Sequence, residues 1–236
     1  MKKQILHLLI STIAWPSIAL AQESNALASK LVYYPESISK NFHYSFGINV
    51  SKLPTQVVEE ELNQSVMLNF SAKYDLPRRF SLLFDLKTIY ITNDVSLGVS
   101  WCYPLKHFSI GISNKIAYWY GQANFDNFDS SAYGFMDFPS LYLGHRYKNL
   151  YTTLGGGLDL LIVTYKYSGD IETKNSKNKI TGYNLFIITE QPLWKNNFVT
   201  IGFKLHRSSY YYQSWIAFST LEYKLWVPEI ILGYNL

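Results

Sequence analysis

His206 and Ser208 are the residues whose types and spacing could do covalent chemistry. Two apart on a strand they would share a face. An imidazole beside a hydroxyl is the general base and nucleophile of acyl transfer, with an acid needed to orient the imidazole. The downstream acids, Glu222 and Glu229, stand well along the chain. A second set is ionic. Lys73, Lys87, Lys115, Arg146 and Lys204, with Asp85 and Asp159, occur singly among small polar residues rather than in runs. Gathered round one cavity, they would either pair internally or, with cations in excess, bias a narrow passage toward anions. Cys102 has no His or Cys at metal-ligand spacing, so no metal or cofactor is expected. Being the single cysteine, it can form no internal disulfide.

These residues must be positioned by strands, because period-two alternation recurs along the chain. Phe42, Tyr44, Phe46, Ile48 and Val50 alternate with His43, Ser45, Gly47, Asn49 and Ser51. The same pattern returns over 65–74, 80–87, 95–103, 108–118, 153–162, 182–188 and 199–206, with a shorter piece at 141–144. One side of each segment carries large apolar residues. The other carries mainly Ser, Gly, Asn and Thr, and it is the side on which the seven charges fall. A soluble sandwich would put its apolar side inward and charge the other richly. Small polar residues suit a confined lumen, and large apolar ones suit lipid. Gly155-Gly156-Gly157 lies mid-strand with no helix following, so it marks a bend or a close strand contact rather than a phosphate cradle.

Composition agrees. Aromatic residues make up 17%, including 20 Tyr and 6 Trp, which interfacial girdles would absorb. Trp101 and Tyr103 would form a lower girdle, and Tyr118, Trp119 and Tyr120 an upper one, with Tyr210, Tyr211, Tyr212 and Trp215 a second upper cluster. No stretch beyond the amino-terminal leader is long and apolar enough for a membrane helix. A net charge of +4 without a basic cluster on an ordered element gives no reason to expect nucleic acid.

The carboxyl-terminal residues carry a resemblance. Ile230, Leu232, Tyr234 and Leu236 are apolar at every second position up to the last residue. This resembles the closing strand of bacterial outer-membrane β-barrels, although the terminal residue in that family is usually Phe or Trp. The resemblance implies recognition of that strand by the barrel assembly machinery. Lys2 and Lys3, the apolar Ile5 to Ile18 and the small-x-small Ala19-Leu20-Ala21 read as a cleaved secretory signal. Outer-membrane lipid A deacylases are similar in placing a His-x-Ser pair on a late strand. That resemblance implies His206 as base and Ser208 as nucleophile, but here Ser209 stands where the family has Asn.

The expected fold is all-β, a transmembrane antiparallel up-and-down barrel of about ten strands. Twelve would result if Tyr210–Trp226 hides a hairpin. Residues 1–21 form the signal, 22–40 a polar lead-in and 41–236 the barrel. Longer connections at 52–64, 119–137 and 166–179 belong on the outer side, and short ones on the periplasmic side. The expected role is structural or surface-exposed in the outer membrane, among its lipid and lipopolysaccharide, with a narrow anion-preferring pore as the sharper form. A lipid A hydrolase and an adhesin presenting aromatic loops are the alternatives.

Overall fold

The computed structural model describes residues 30–37, 41–54, 63–125, 128–193, 197–215 and 224–236. The leader segment lies outside them. Eleven strands follow in chain order: β1 (Phe42–Lys52), β2 (Gln64–Asp75), β3 (Phe80–Ile89), β4 (Thr92–Leu105), β5 (Phe108–Phe125), β6 (Phe128–Asp137), β7 (Ser140–Tyr147), β8 (Leu150–Ser168), β9 (Ile171–Pro192), β10 (Phe198–Ser208) and β11 (Leu225–Asn235). Every pairing is antiparallel, and β11 closes the ring on β1 with Ile48 opposite Leu232.

The eleven segments occupy ten places, because β6 and β7 are halves of one strand. β5 pairs with β6 along its upper half and with β7 along its lower half, and β8 does the same on the other side. The break falls at Phe138-Pro139, where proline has no N–H to give the ladder. The result is a closed ten-stranded transmembrane antiparallel barrel. β10 and β11 pair directly along their whole lengths, so the ring has no place for two further strands. Residues 209–215 contain only a short 3-10 turn, and 216–223 lie outside the described residues.

Alternation gives the wall its polarity. Phe46, Leu68, Leu82, Leu97, Ile116, Leu154, Ile201 and Ile230 point outward and are exposed, while Ser45, Asn49, Asn69, Ser71, Ser96, Asn184 and Thr200 are buried inside. This inversion of a soluble protein suits a wall facing hydrocarbon. At Gly155 a Cβ would sit 2.5 Å from the Phe186 ring and 2.6 Å from the Tyr142 Cβ, so the glycine run permits close contact inside the wall.

Three expectations are corrected. Residues 119–137 and 166–179 are hairpins rather than loops. β8 and β9, at 19 and 22 residues, run far beyond the 9–11 that cross a bilayer. Trp119 belongs to no girdle, because it alternates with the outward Tyr118 and is fully buried inside. Tyr211, Tyr212 and Trp215 also turn inward and are buried.

Candidate functional site

The lumen is the candidate site, and described residues fill it toward both ends. At the lower end, where β1 starts and β11 finishes, residues 30–37 enter the barrel. A backbone inside a lumen needs partners for its polar groups, and two strand residues supply them. The Glu190 carboxylate on β9 accepts hydrogen bonds from the N–H groups of Val32 (2.8 Å), Tyr33 (3.2 Å) and Tyr34 (2.8 Å). It also accepts one from the Asn235 side-chain amide at 2.8 Å. The Lys73 ammonium on β2 donates to the carbonyls of Glu36 (2.9 Å) and Tyr34 (3.5 Å). Leu31 and Tyr34 pack with Tyr151 and Phe198, and the Arg146 guanidinium lies 5.3 Å over the Tyr151 ring. Tyr33 reaches further up, its hydroxyl 2.9 Å from Ser71 Oγ. Burial, followed by the nearby Asp85 carboxylate, pushes the Tyr33 phenol well above its ordinary range, so it stays neutral.

Beside and above this plug the charges pair. Lys115 Nζ meets Asp85 Oδ2 at 2.8 Å, and Ser71 Oγ donates to the other Asp85 oxygen at 2.6 Å. His43 Nε2 lies 2.8 Å from Asp75 Oδ2, with Ser81 donating to Asp75 at 2.6 Å. Lys87 lies 3.5 Å from Glu229, which also accepts from Asn49. Lone buried charges are costly, and such pairing with hydroxyls and amides is how a confined lumen tolerates them.

The upper end is sealed differently. Tyr211, Tyr212 and Trp215 pack on Trp119, Met67, Leu53, Leu161 and Val227 in an apolar cap. Two polar contacts anchor it: Trp215 Nε1 donates to Thr92 Oγ1 at 3.0 Å, and Tyr211 and Ser51 hydroxyls lie 3.2 Å apart. Burial pushes the Tyr211 and Tyr212 phenols up as well, keeping the cap uncharged. Between plug and cap remains a cavity of about 170 Å³, bordered by Tyr33, Asp94, Phe138, Tyr142, Lys204 and Tyr211.

All seven charges singled out in the sequence, Lys73, Asp85, Lys87, Lys115, Arg146, Asp159 and Lys204, lie on inward registers. Lys204 enters no ion pair among the described residues; its ammonium lies 6.0 Å over the Phe138 ring. The excess of cations does not survive, however. Asp75, Asp94, Glu190 and Glu229 are also buried inside, so six strand carboxylates face five cations. Alternation could have found them. Asp94 precedes Ser96 by two and Glu190 follows Ile188 by two, while Glu229 precedes the outward Ile230.

His206 and Ser208 do share the inner face, but among the described residues each makes its polar contacts with other groups. His206 Nδ1 lies 3.2 Å from Asp159 Oδ2, and its Nε2 lies 3.4 Å from Glu229 Oε2. Ser208 Oγ donates to the Tyr210 carbonyl at 2.6 Å and accepts from the Tyr210 N–H at 3.1 Å. Both imidazole nitrogens face carboxylates, and the hydroxyl closes a local turn. Among the described residues no cluster of His, Cys, Asp and Glu could hold a metal ion.

No protein-family model and no curated protein sequence matches the chain. Solved structures resemble it in outline. The translocator domain of the autotransporter NalP from Neisseria meningitidis is 9% identical with a TM-score of 0.48, over 85% of this chain and 90% of that one. The N-terminal β-barrel domain of Pseudomonas aeruginosa OprF is 11% identical with a TM-score of 0.36, over 84% and 100%. Neisserial surface protein A is 11% identical with a TM-score of 0.34, over 83% and 96%.

Proposed function

We propose that this chain is an outer-membrane barrel that does not conduct, with a structural or surface role. The observation that carries the reading is the occupation of the lumen toward both ends. Val32, Tyr33 and Tyr34 are bound across the lower mouth by Glu190, and Tyr211, Tyr212 and Trp215 fill the upper one. Between these seals the cations are matched by carboxylates, so no ring of one sign is left to select ions. The outward belt of Leu, Ile, Val and Phe supports membrane embedding, and the leader-like amino terminus supports export. β11, exposing Ile230 and Leu232 and followed by the exposed Leu236, is the segment we assign to the assembly machinery. The long β8–β9 hairpin, with its exposed tip at Ser168–Glu172, is the part that would stand clear of the lipid on the outer side.

The deciding experiment is planar-bilayer recording of the refolded protein. Electrical silence is expected from membranes in which a folded, heat-modifiable band confirms insertion. Discrete, reproducible channel openings would overturn the sealed reading.

A further inference from the structure

Arg207, between His206 and Ser208, points the other way. It lies exposed on the outer wall while its two neighbours are buried inside. In the ladders it stands level with Tyr183 on β9 and Trp226 on β11, so one row across three strands reads Tyr, Arg, Trp. The guanidinium carbon sits 5.3 Å over the Trp226 ring, and Arg207 Nη1 lies 3.4 Å from the Tyr183 hydroxyl. The two rings themselves meet edge to face at 6.2 Å. Below the row, on the same face, Leu185, Ile187, Phe203, Ile230 and Leu232 form an exposed apolar ladder.

A cation capping such a ladder needs a counter-charge, and none of the ion pairs among the described residues involves Arg207. Lys224, two residues before Trp226 in the chain and also exposed, enters none either. A ligand covering the wall can supply that counter-charge. Guanidinium is weakly hydrated, and its fork matches phosphate oxygens two at a time. The Trp226 face holds that fork in place at little entropic cost.

We propose that the Tyr183–Arg207–Trp226 row is a headgroup site for a phosphorylated lipid of the outer leaflet, whose acyl chains lie down the apolar ladder. The site rests on the outer-membrane reading above. Phosphate is the recognised chemistry, and the ladder is what distinguishes a lipid from the free ion.

The test refolds wild type and Arg207→Gln into phosphatidylcholine vesicles containing increasing mole fractions of diphosphoryl lipid A, and reads the thermal midpoint of the folded band. The midpoint of wild type should rise, and Arg207→Gln should need about fivefold more lipid for half the rise, the effect of one cation at a lipid surface. Arg207→Lys should fall between them, because charge remains and the fork is lost. Lipid A stripped of its phosphates, and inorganic phosphate alone, should give no rise. Equal responses from wild type and Arg207→Gln would overturn the site. So would an undiminished response to the stripped lipid, which would leave only the ladder, or a rise with inorganic phosphate, which would make it a free-anion site. If Arg207→Gln does not fold, Trp226→Leu read in the same way decides, and a wild-type response would overturn the site. Failure of wild type to enter plain phosphatidylcholine vesicles would instead sink the membrane reading, and the site with it.

Discussion

Replacing Glu190 with Ala should open the lower mouth, and the chain contains its own reporter for this. Cys102 is the single cysteine. It lies on β4 facing the lumen, is 4% exposed, and borders the cavity above the plug. In wild type a charged thiol reagent reaches it only when residues 30–37 leave. Glu190 accepts three backbone N–H groups of that segment, at 2.8, 3.2 and 2.8 Å. Hydrogen bonds to a charged group contribute about 1.5–3 kcal/mol each. The sum is an upper bound, because water entering the vacated site and the remaining contacts of Lys73, Leu31 and Tyr34 restore part of it. A net loss of about 3 kcal/mol, below that sum, corresponds to roughly a hundredfold larger population of the unplugged form. Labelling follows that population while reclosure outpaces reaction. The assay is the rate of Cys102 modification by a charged thiosulfonate in folded, detergent-held protein, wild type against Glu190→Ala. A change below about threefold, with folding intact, would mean that these bonds do not hold the plug.

Other perturbations test the rest of the lumen and the wall. Glu229→Ala leaves Lys87 and Asn49 without their buried partner and should cost about 3–5 kcal/mol, read as an earlier denaturant midpoint in vesicles. Leu97 faces outward at 64% exposure, so Leu97→Arg should cost about 2–4 kcal/mol in a bilayer if it lies near the midplane. A negligible cost there would argue that this face does not meet hydrocarbon. A side chain on Gly121 would overlap the Trp215 indole, so Gly121→Val should displace the cap and shift tryptophan emission to the red. Unchanged emission would show that the cap is not seated there.

The wall was legible in the sequence because its two solvents differ. Where one face meets lipid and the other a polar lumen, alternation is forced, and the registers through Phe46, Leu97 and Ile201 follow directly. Above the membrane the outer face of a hairpin meets water rather than lipid, so the pattern fades. That is why the upper parts of β5, β6, β8 and β9 look like loops. Trp119 was hidden by composition: three aromatics in a row suggest a girdle, and only the parity set by Ile116 and Tyr118 turns it inward. Glu190 was missed, and Glu229 set aside as too far along the chain, for a related reason. They stand 16 before and 23 after His206 in the chain, yet strands β9 and β11 flank β10 and bring both to the same lumen. Nothing local in Leu31-Val32-Tyr33-Tyr34 says that it enters the barrel. Its partners are a carboxylate more than 150 residues away and an ammonium about 40 away.

The two seals consist of different interactions, and so they should fail by different routes. The lower one is mainly backbone polar groups matched to Glu190 and Lys73, with modest apolar help from Leu31 and Tyr34. Removing one carboxylate deletes much of its hold while the wall stays intact. The upper one is mainly aromatic and aliphatic packing around Trp119 and Trp215, so its strength scales with buried apolar area and weakens under denaturant. A barrel with both is closed redundantly: opening the lower mouth exposes Cys102 without creating a through-path, because the cap still blocks it. Conductance should therefore appear only when Glu190→Ala is combined with Gly121→Val, while thiol labelling already responds to Glu190→Ala alone. Current through Glu190→Ala by itself would show that the aromatic cap does not close the upper mouth.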